Sequence, residues 1–207
     1  MRILAIETAT EACSIALFDG DQLIAHDHRV LGRGHAERLV PMIAALPDKG
    51  RADRIVVSLG PGSFTGVRIG IATARALGFA WGVRVLGYPT LALVAARARE
   101  GEAHSVTVCM NGGHGEWFIQ NFDADGTCSG VSSLTPEAAV ARNAHRVVAG
   151  NRAQAFADML DDDRIVHDIL PDSASTLDLP ESTVTTDLSP IYGRGPDATP
   201  QKMVNSK

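Results

Sequence analysis

The stretch Ser58-Leu59-Gly60-Pro61-Gly62-Ser63-Phe64-Thr65-Gly66-Val67-Arg68-Ile69-Gly70 constrains this chain more than any other. The β-branched apolar run Arg54–Leu59 before it reads as a buried strand. Val67–Trp81 after it has helical length and composition, with Ala72, Ala74, Ala76, Leu77 and Ala80. A strand, a glycine turn and a helix start leave backbone N–H groups free, and the helix dipole favours negative charge there. Ser63 and Thr65 both offer a hydroxyl that can cap the helix. No Lys-Ser/Thr pair follows the glycines, so this is not a Walker A loop. Gly60, Gly62 and Gly66 do not make the dinucleotide spacing either. Two readings stay open: a phosphate cradle, or a turn whose glycines only permit a tight path.

The remaining chemistry narrows the class. Hydrophobic residues make up 45% and charged residues 21% of 207, as in an ordinary globular protein. Net charge is -5, which argues against a global basic field for nucleic acid. Residues 1–100 carry 12 Lys+Arg against 9 Asp+Glu, while 101–207 carry 7 against 15, so two differently charged parts are expected. Cys13, Cys109 and Cys128 form no C-x-x-C and read as reduced thiols. No leader is recognisable, and no apolar run approaches the roughly 20 residues of a membrane span. A soluble, cytoplasmic protein is expected.

Arg2–Glu7, Ala12–Phe18 and Leu23–His28 read as three strands with links short enough to force an antiparallel meander. A helix over His35–Leu46 follows, with Pro41 inside it expected to kink it or mark its true start. The Arg54–Leu59 strand, the glycine loop, the Val67–Trp81 helix, a strand at Val83–Leu86 and a helix from Pro89 to Arg99 complete the order βββαβαβα. That order suggests an α/β ribonuclease-H-like lobe of the actin-like ATPase superfamily, a mixed sheet with helices. A second, reduced lobe begins the same way, with strands at Ser105–Met110, Glu116–Phe122 and around Cys128–Leu134. Thr135 and Pro136 then open a helix, and Val147–Ala149 and Asn151–Leu160 read as strand and helix. The expected division is 1–101, 102–194 and a flexible tail at 195–207, with Asp172–Asp187 irregular or mobile.

Ile3–Thr10, the Gly60–Gly70 loop and Pro190-Ile191-Tyr192 with Arg194 together resemble the TsaB (YeaZ) family. The likeness is close and collinear over residues 1–100 and loose beyond. It implies two actin-like lobes and a non-catalytic accessory subunit in bacterial synthesis of threonylcarbamoyladenosine on tRNA. It also implies pairing with TsaD, the catalytic paralogue, with the TsaE-type ATPase joining that pair, and a homodimer in isolation through the same face. Contact with tRNA comes through the complex, and direct contact would have to come from a local patch such as Arg29, Arg33 and Arg38. No cofactor is required, and ATP or ADP binding is at most weak or vestigial.

Two positions depart from the family pattern. The first turn carries Glu7-Thr8 where Asp-Thr is usual, and Asn111-Gly112-Gly113-His114-Gly115-Glu116-Trp117-Phe118 replaces Asp-Ala-Arg-x-Gly-Glu-Val-Tyr. Glu7, Thr8, Thr10, Gly60, Gly62, Ser63, Thr65 and Gly66 therefore form a vestigial phosphate site. The rival reading is an actin-like nucleotide-hydrolysing enzyme using those same residues. A glycoprotease-like peptidase is weaker still: Ser63 precedes a helix and His35 is a base only by order, but G-x-S-x-G is absent. Asn111–Gly115 is a second-lobe anion clamp or, preferably, a hairpin turn. Asp161-Asp162-Asp163 reads as a solvated turn.

No His-x-x-x-His pair is present. His26-x-His28 puts two rings on one strand face, but without further ligands it reads as a wet face, and no metal is expected. The Val67–Trp81 helix looks apolar or small nearly all round, so one side needs a cover beyond its own sheet. Leu39, Met42, Ile43 and Leu46 on the first helix, with Gly70, Ile71, Ala74, Arg75 and Gly78 on the second, are the expected partner interface. The plainer alternative is that the two helices cover each other within one lobe.

Overall fold

The computed structural model describes residues 1–160 and 162–193. The tail expected at 195–207, Arg194 and Asp161 lie outside the described residues. The first sheet is built from β1 (Arg2–Glu7), β2 (Ala12–Asp19), β3 (Gln22–Val30), β4 (Arg54–Ser58) and β5 (Arg84–Tyr88), in the order β3-β2-β1-β4-β5. β1, β2 and β3 pair antiparallel, as their short links require, and β4 and β5 add in parallel through helical crossovers. The second sheet repeats the pattern with β6 (Val106–Gly113), β7 (Glu116–Phe122), β8 (Ser132–Leu134), β9 (Val147–Ala149) and β10 (Ile165–His167), ordered β10-β9-β6-β7-β8. The second lobe thus has every strand of the first. Its reduction lies in element length, since β8, β9 and β10 are three residues each.

Five helices complete the layers: α1 (His35–Ala45), α2 (Phe64–Trp81), α3 (Thr90–Arg99), α4 (Pro136–Val140) and α5 (Ala153–Leu160). Alternation along β1 sends Leu4 and Ile6 to one core with α1 and α2, and Ile3 and Ala5 to another with α3. That second core also takes Val106, Val108 and Met110 of β6, so α3 lies between the two sheets and joins them. The helix covered on all sides is α3, not α2: Thr90–Ala96 and Ala98 are all buried. On the far face of the second sheet, α4 and α5 close a third core around Trp117 and Phe156. Pro41 neither starts nor ends α1, which runs on through it. Ser63 rather than Thr65 caps α2, and Thr135 caps α4 with Pro136 behind it.

The segment expected to be irregular or mobile is irregular but firmly packed. Two 3-10 turns, Ser173–Asp178 and Glu181–Thr183, carry the chain from the second lobe back over the first. Ser173 is buried and its N–H donates to Ser14 Oγ at 3.1 Å, while Thr185 pairs with Gly87 beside β5. The Ile191 N–H donates to Leu59 O at 2.7 Å. Residues 172–191, expected within the second lobe, therefore pack along the first.

α2 presents Gly66, Gly70, Ala74 and Gly78 at four-residue spacing, and all four face its own lobe. A Cβ on Gly70 would strike Thr8 Oγ1, and one on Gly78 would strike Val85 Cγ2. The small stripe lets the helix lie close on β1, β4 and β5; it is not a seat for another helix. Gly70→Ala should lower the unfolding free energy by about 1–2 kcal/mol, because overpacking outweighs the gain in helix propensity. Denaturant midpoints check the sign: a surface glycine would instead give stabilisation of up to about 1 kcal/mol.

Candidate functional site

Where the first turn meets the glycine loop, the phosphate-site residues come together. The Ser63 N–H donates to Ala9 O at 2.6 Å, and the Gly66 N–H donates to Ser63 Oγ at 3.2 Å. Thr8 Oγ1 donates to Gly66 O at 2.8 Å. A Cβ on Gly62 would fall on Ala9 O, and one on Gly66 on Thr8 O. The glycines are there because the turn Thr8–Thr10 is pressed into the loop. Two N–H groups that a phosphate would use are thus spent within the chain. Thr10 caps its own turn, accepting from Ala12 N–H at 3.2 Å, and Thr65 is exposed on the first turn of α2. Gly60 is tied by its carbonyl, which accepts from Thr90 N–H at 2.8 Å.

Glu7 does not reach an open cleft. It is fully buried, with Oε1 accepting from Ala9 N–H at 2.6 Å and Oε2 without a partner. Burial pushes its carboxyl up to about 7, against the opposing hydrogen bonds from Ala9, Ser58 and Thr8. Cys13 and Cys109 are raised to about 11 and about 12 by burial, so neither thiol is an available nucleophile at neutral pH. His35 Nε2 lies 3.1 Å from Ala12 O, and Ser63 Oγ caps α2, so each of the two peptidase candidates is held by backbone groups.

In the second lobe, Asn111-Gly112-Gly113 end β6, and His114-Gly115 make the hairpin turn into β7. Asn111 Oδ1 accepts from Gly113 N–H at 3.2 Å, and Asn111 N–H donates to Asn151 Oδ1 at 2.8 Å. Asn151 Nδ2 in turn donates to Glu11 Oε1 at 2.7 Å, linking the lobes across their cleft. Asp162 is paired with Arg164, and Asp163 with Arg146, as expected of a solvated turn. Arg29 is held by Asp27 at 2.7 Å, which weakens the basic patch expected with Arg33 and Arg38.

The expected interface set needs correction. Leu39, Met42, Ile43, Leu46, Gly70, Ile71, Ala74 and Gly78 are buried inside the lobe, and only Arg75 is exposed. α1 and α2 cover each other and the sheet. The outer face of α2 instead shows Phe64, Arg68, Ala72, Arg75, Ala76 and Phe79, with Phe79 92% exposed. Phe64 stacks on Tyr192 at 5.8 Å, and the Arg68 guanidinium lies 3.6 Å over the Phe64 ring. These residues make an exposed apolar and aromatic strip along a helix about 27 Å long. Glycine and alanine could not reveal the phase of α2, but the large residues Phe64, Arg68, Arg75 and Phe79 recur at helical spacing and mark it.

His26 and His28 share one face of β3, as alternation requires, but that face is not simply wet. Asp172, brought back over it, places Oδ1 2.7 Å from His26 Nε2 and Oδ2 3.1 Å from His28 Nδ1. No local signal joins residues 146 apart in sequence.

The raised Glu7 group makes stability depend on pH. The folded state holds this proton more tightly than the unfolded chain, whose carboxyl titrates near 4.5. Its contribution is full below pH 4.5 and is lost as pH rises towards 7, by about 3 kcal/mol in all. Glu7→Gln should flatten that part of the profile, read as urea midpoints at pH 4.5 and pH 8. Parallel profiles for the two proteins would refute the assignment.

Residues 29–161, well over half of the chain, match the family model of TsaD, the tRNA N6-adenosine threonylcarbamoyltransferase. The tRNA threonylcarbamoyladenosine biosynthesis protein TsaB of Escherichia coli is 37% identical over 131 residues, 60% of this chain and 56% of that protein. The Bacillus subtilis TsaB is 36% identical over 104 residues, 48% of this chain and 45% of that protein. The chain spans about half the length of the curated relatives it matches. YeaZ from Pseudomonas aeruginosa superposes with a TM-score of 0.76 at 29% identity, covering 92% of this chain and 99% of that one. The ethanolamine utilization protein EutJ of Carboxydothermus hydrogenoformans, at TM-score 0.52 and 10% identity over 86% of this chain and 89% of that one, shares the fold alone. Among the described residues no helix is long and apolar enough to cross a membrane. Residues 29–161 thus give this chain the TsaD-type domain of the family model, and with its TsaB relatives and the YeaZ superposition it belongs to the TsaB (YeaZ) branch of that family.

Proposed function

We propose that this chain is a non-catalytic partner subunit in threonylcarbamoyladenosine synthesis on tRNA. It docks to and supports a TsaD-type catalytic paralogue, and a TsaE-type ATPase joins the pair. The relatives named as tRNA threonylcarbamoyladenosine biosynthesis proteins support the pathway. The observation that carries the non-catalytic part is the first turn seated in the glycine loop, where Ala9 O takes the Ser63 N–H. A nucleotide-hydrolysing enzyme would need that turn lifted away and Glu7 brought out of its buried position. Any ATP or ADP binding is accordingly weak.

The docking face in this proposal is the outer side of α2, from Phe64 through Arg68, Ala72 and Arg75 to Phe79. The same face serves a homodimer when the paralogue is absent, and tRNA is reached through the assembled complex. Ala74→Glu is unsuitable as a probe, because Ala74 is fully buried and a charge there would unfold the lobe. Phe79→Asp is suitable, since its ring touches solvent almost everywhere. Light-scattering chromatography of this protein with the TsaD-type protein of its own organism should show a complex. Phe79→Asp should weaken that complex about thirtyfold, the effect of losing a hot-spot aromatic worth about 2 kcal/mol. An unchanged complex would overturn the docking face, and no complex with the unaltered protein would overturn the partner role.

A further inference from the structure

The geometry points to a divalent transition-metal site formed by His26 and His28 of β3 with Asp172 of the returning segment. One ligand atom from each residue lies within 4.8 Å of the others. Two imidazoles and one carboxylate are a donor set for borderline cations such as Zn²⁺, Co²⁺ or Fe²⁺. Asp172 meets the two rings with different oxygens, Oδ1 2.7 Å from His26 Nε2 and Oδ2 3.1 Å from His28 Nδ1, so all three side chains already converge there. Small rotations of exposed rings suffice to admit an ion.

Three further observations favour a cation over a simple latch. His28 Nδ1 is buried and makes no hydrogen bond, although it lies beside Asp172 Oδ2, out of line with it. A buried ring nitrogen without a partner is an unsatisfied ligand atom. Asp172 is held in place by groups that leave Oδ2 open: Ser14 Oγ and the Ala174 N–H both donate to Oδ1, at 3.1 and 3.0 Å. Such outer contacts orient a metal carboxylate. The site also opens on the cleft between the lobes, about 400 Å³ in volume, where among the described residues Glu11, Asp168 and Asp172 face the cation Arg97. Arg97 approaches Asp172 Oδ2 only to 3.9 Å, because its guanidinium donates to Leu170 O at 2.6 Å. The cleft wall is therefore net acidic, and the side chains of His26 and His28 keep 28% and 20% exposure, enough for an ion to enter.

Binding there would fasten the 172–191 segment to β3 and stabilise the folded chain in proportion to metal concentration. The test uses the full-length chain stripped with chelator, titrated with ZnCl₂ by calorimetry and with CoCl₂ by visible absorption. One Zn²⁺ per chain, a rise in melting temperature, and cobalt d–d bands of a four-coordinate site are expected. His26→Gln should weaken binding at least tenfold and abolish the bands. His145→Gln, which removes the other His–Asp pair, with Asp123 at 3.1 Å, should change neither. His28→Gln repeats the test from the more buried side, and His26→Gln stands alone should that variant fail to fold. No stoichiometric binding, or binding that His26→Gln leaves intact, overturns the site and leaves a His–Asp latch.

Discussion

The contact on which the structure depends is the seating of the Thr8–Thr10 turn in the glycine loop. It holds three things at once. The carbonyls of Thr8 and Ala9 occupy the space where side chains at Gly66 and Gly62 would sit, so β1 and the start of α2 lie closer than any other residue would permit. Thr8 also rests against Gly70 one turn further on, which fixes the height of α2 over the sheet. The hydrogen bonds from Ser63 N–H and Thr8 Oγ1 then lock the turn and loop together. The chain's own backbone fills the loop.

From that seating the outer surface follows. With Gly66, Gly70, Ala74 and Gly78 committed to the sheet, the residues on the opposite side of α2 are fixed by helical geometry, and they include Phe64 and Phe79. The returning segment reinforces the arrangement: Tyr192 stacks on Phe64, and Ile191 N–H holds Leu59 O. The exposed strip of α2 and the glycine loop are thus neighbours on one rigid unit.

Much of this was legible locally. The meander, the strand–loop–helix unit, the cap at Thr135 and the hairpin around Asn111–Gly115 are each written within a dozen residues, where turn chemistry and alternation are decisive. The phase of α2 was not, because its glycines and alanines carry too little hydrophobic contrast to show which side is covered. The all-round burial belongs to α3, whose Arg99 escapes by donating to the carbonyls of His104, Phe122 and Asp123. β10 and the packed 172–191 segment were missed for another reason. Three-residue strands and 3-10 turns have no period, and the pairing of Asp172 with His26 spans 146 positions. Composition rich in Ser, Thr, Asp and Pro signals irregularity, which is correct here, but not looseness.

Hydrogen–deuterium exchange of the Ser58–Gly70 loop, with and without magnesium and ATP, tests the central claim most directly. If the first turn fills the loop, the Ser63 and Gly66 amides exchange as slowly as those of the neighbouring core, and nucleotide changes nothing. Fast exchange at those two amides that slows when nucleotide is added would contradict the account and make the loop a working phosphate site.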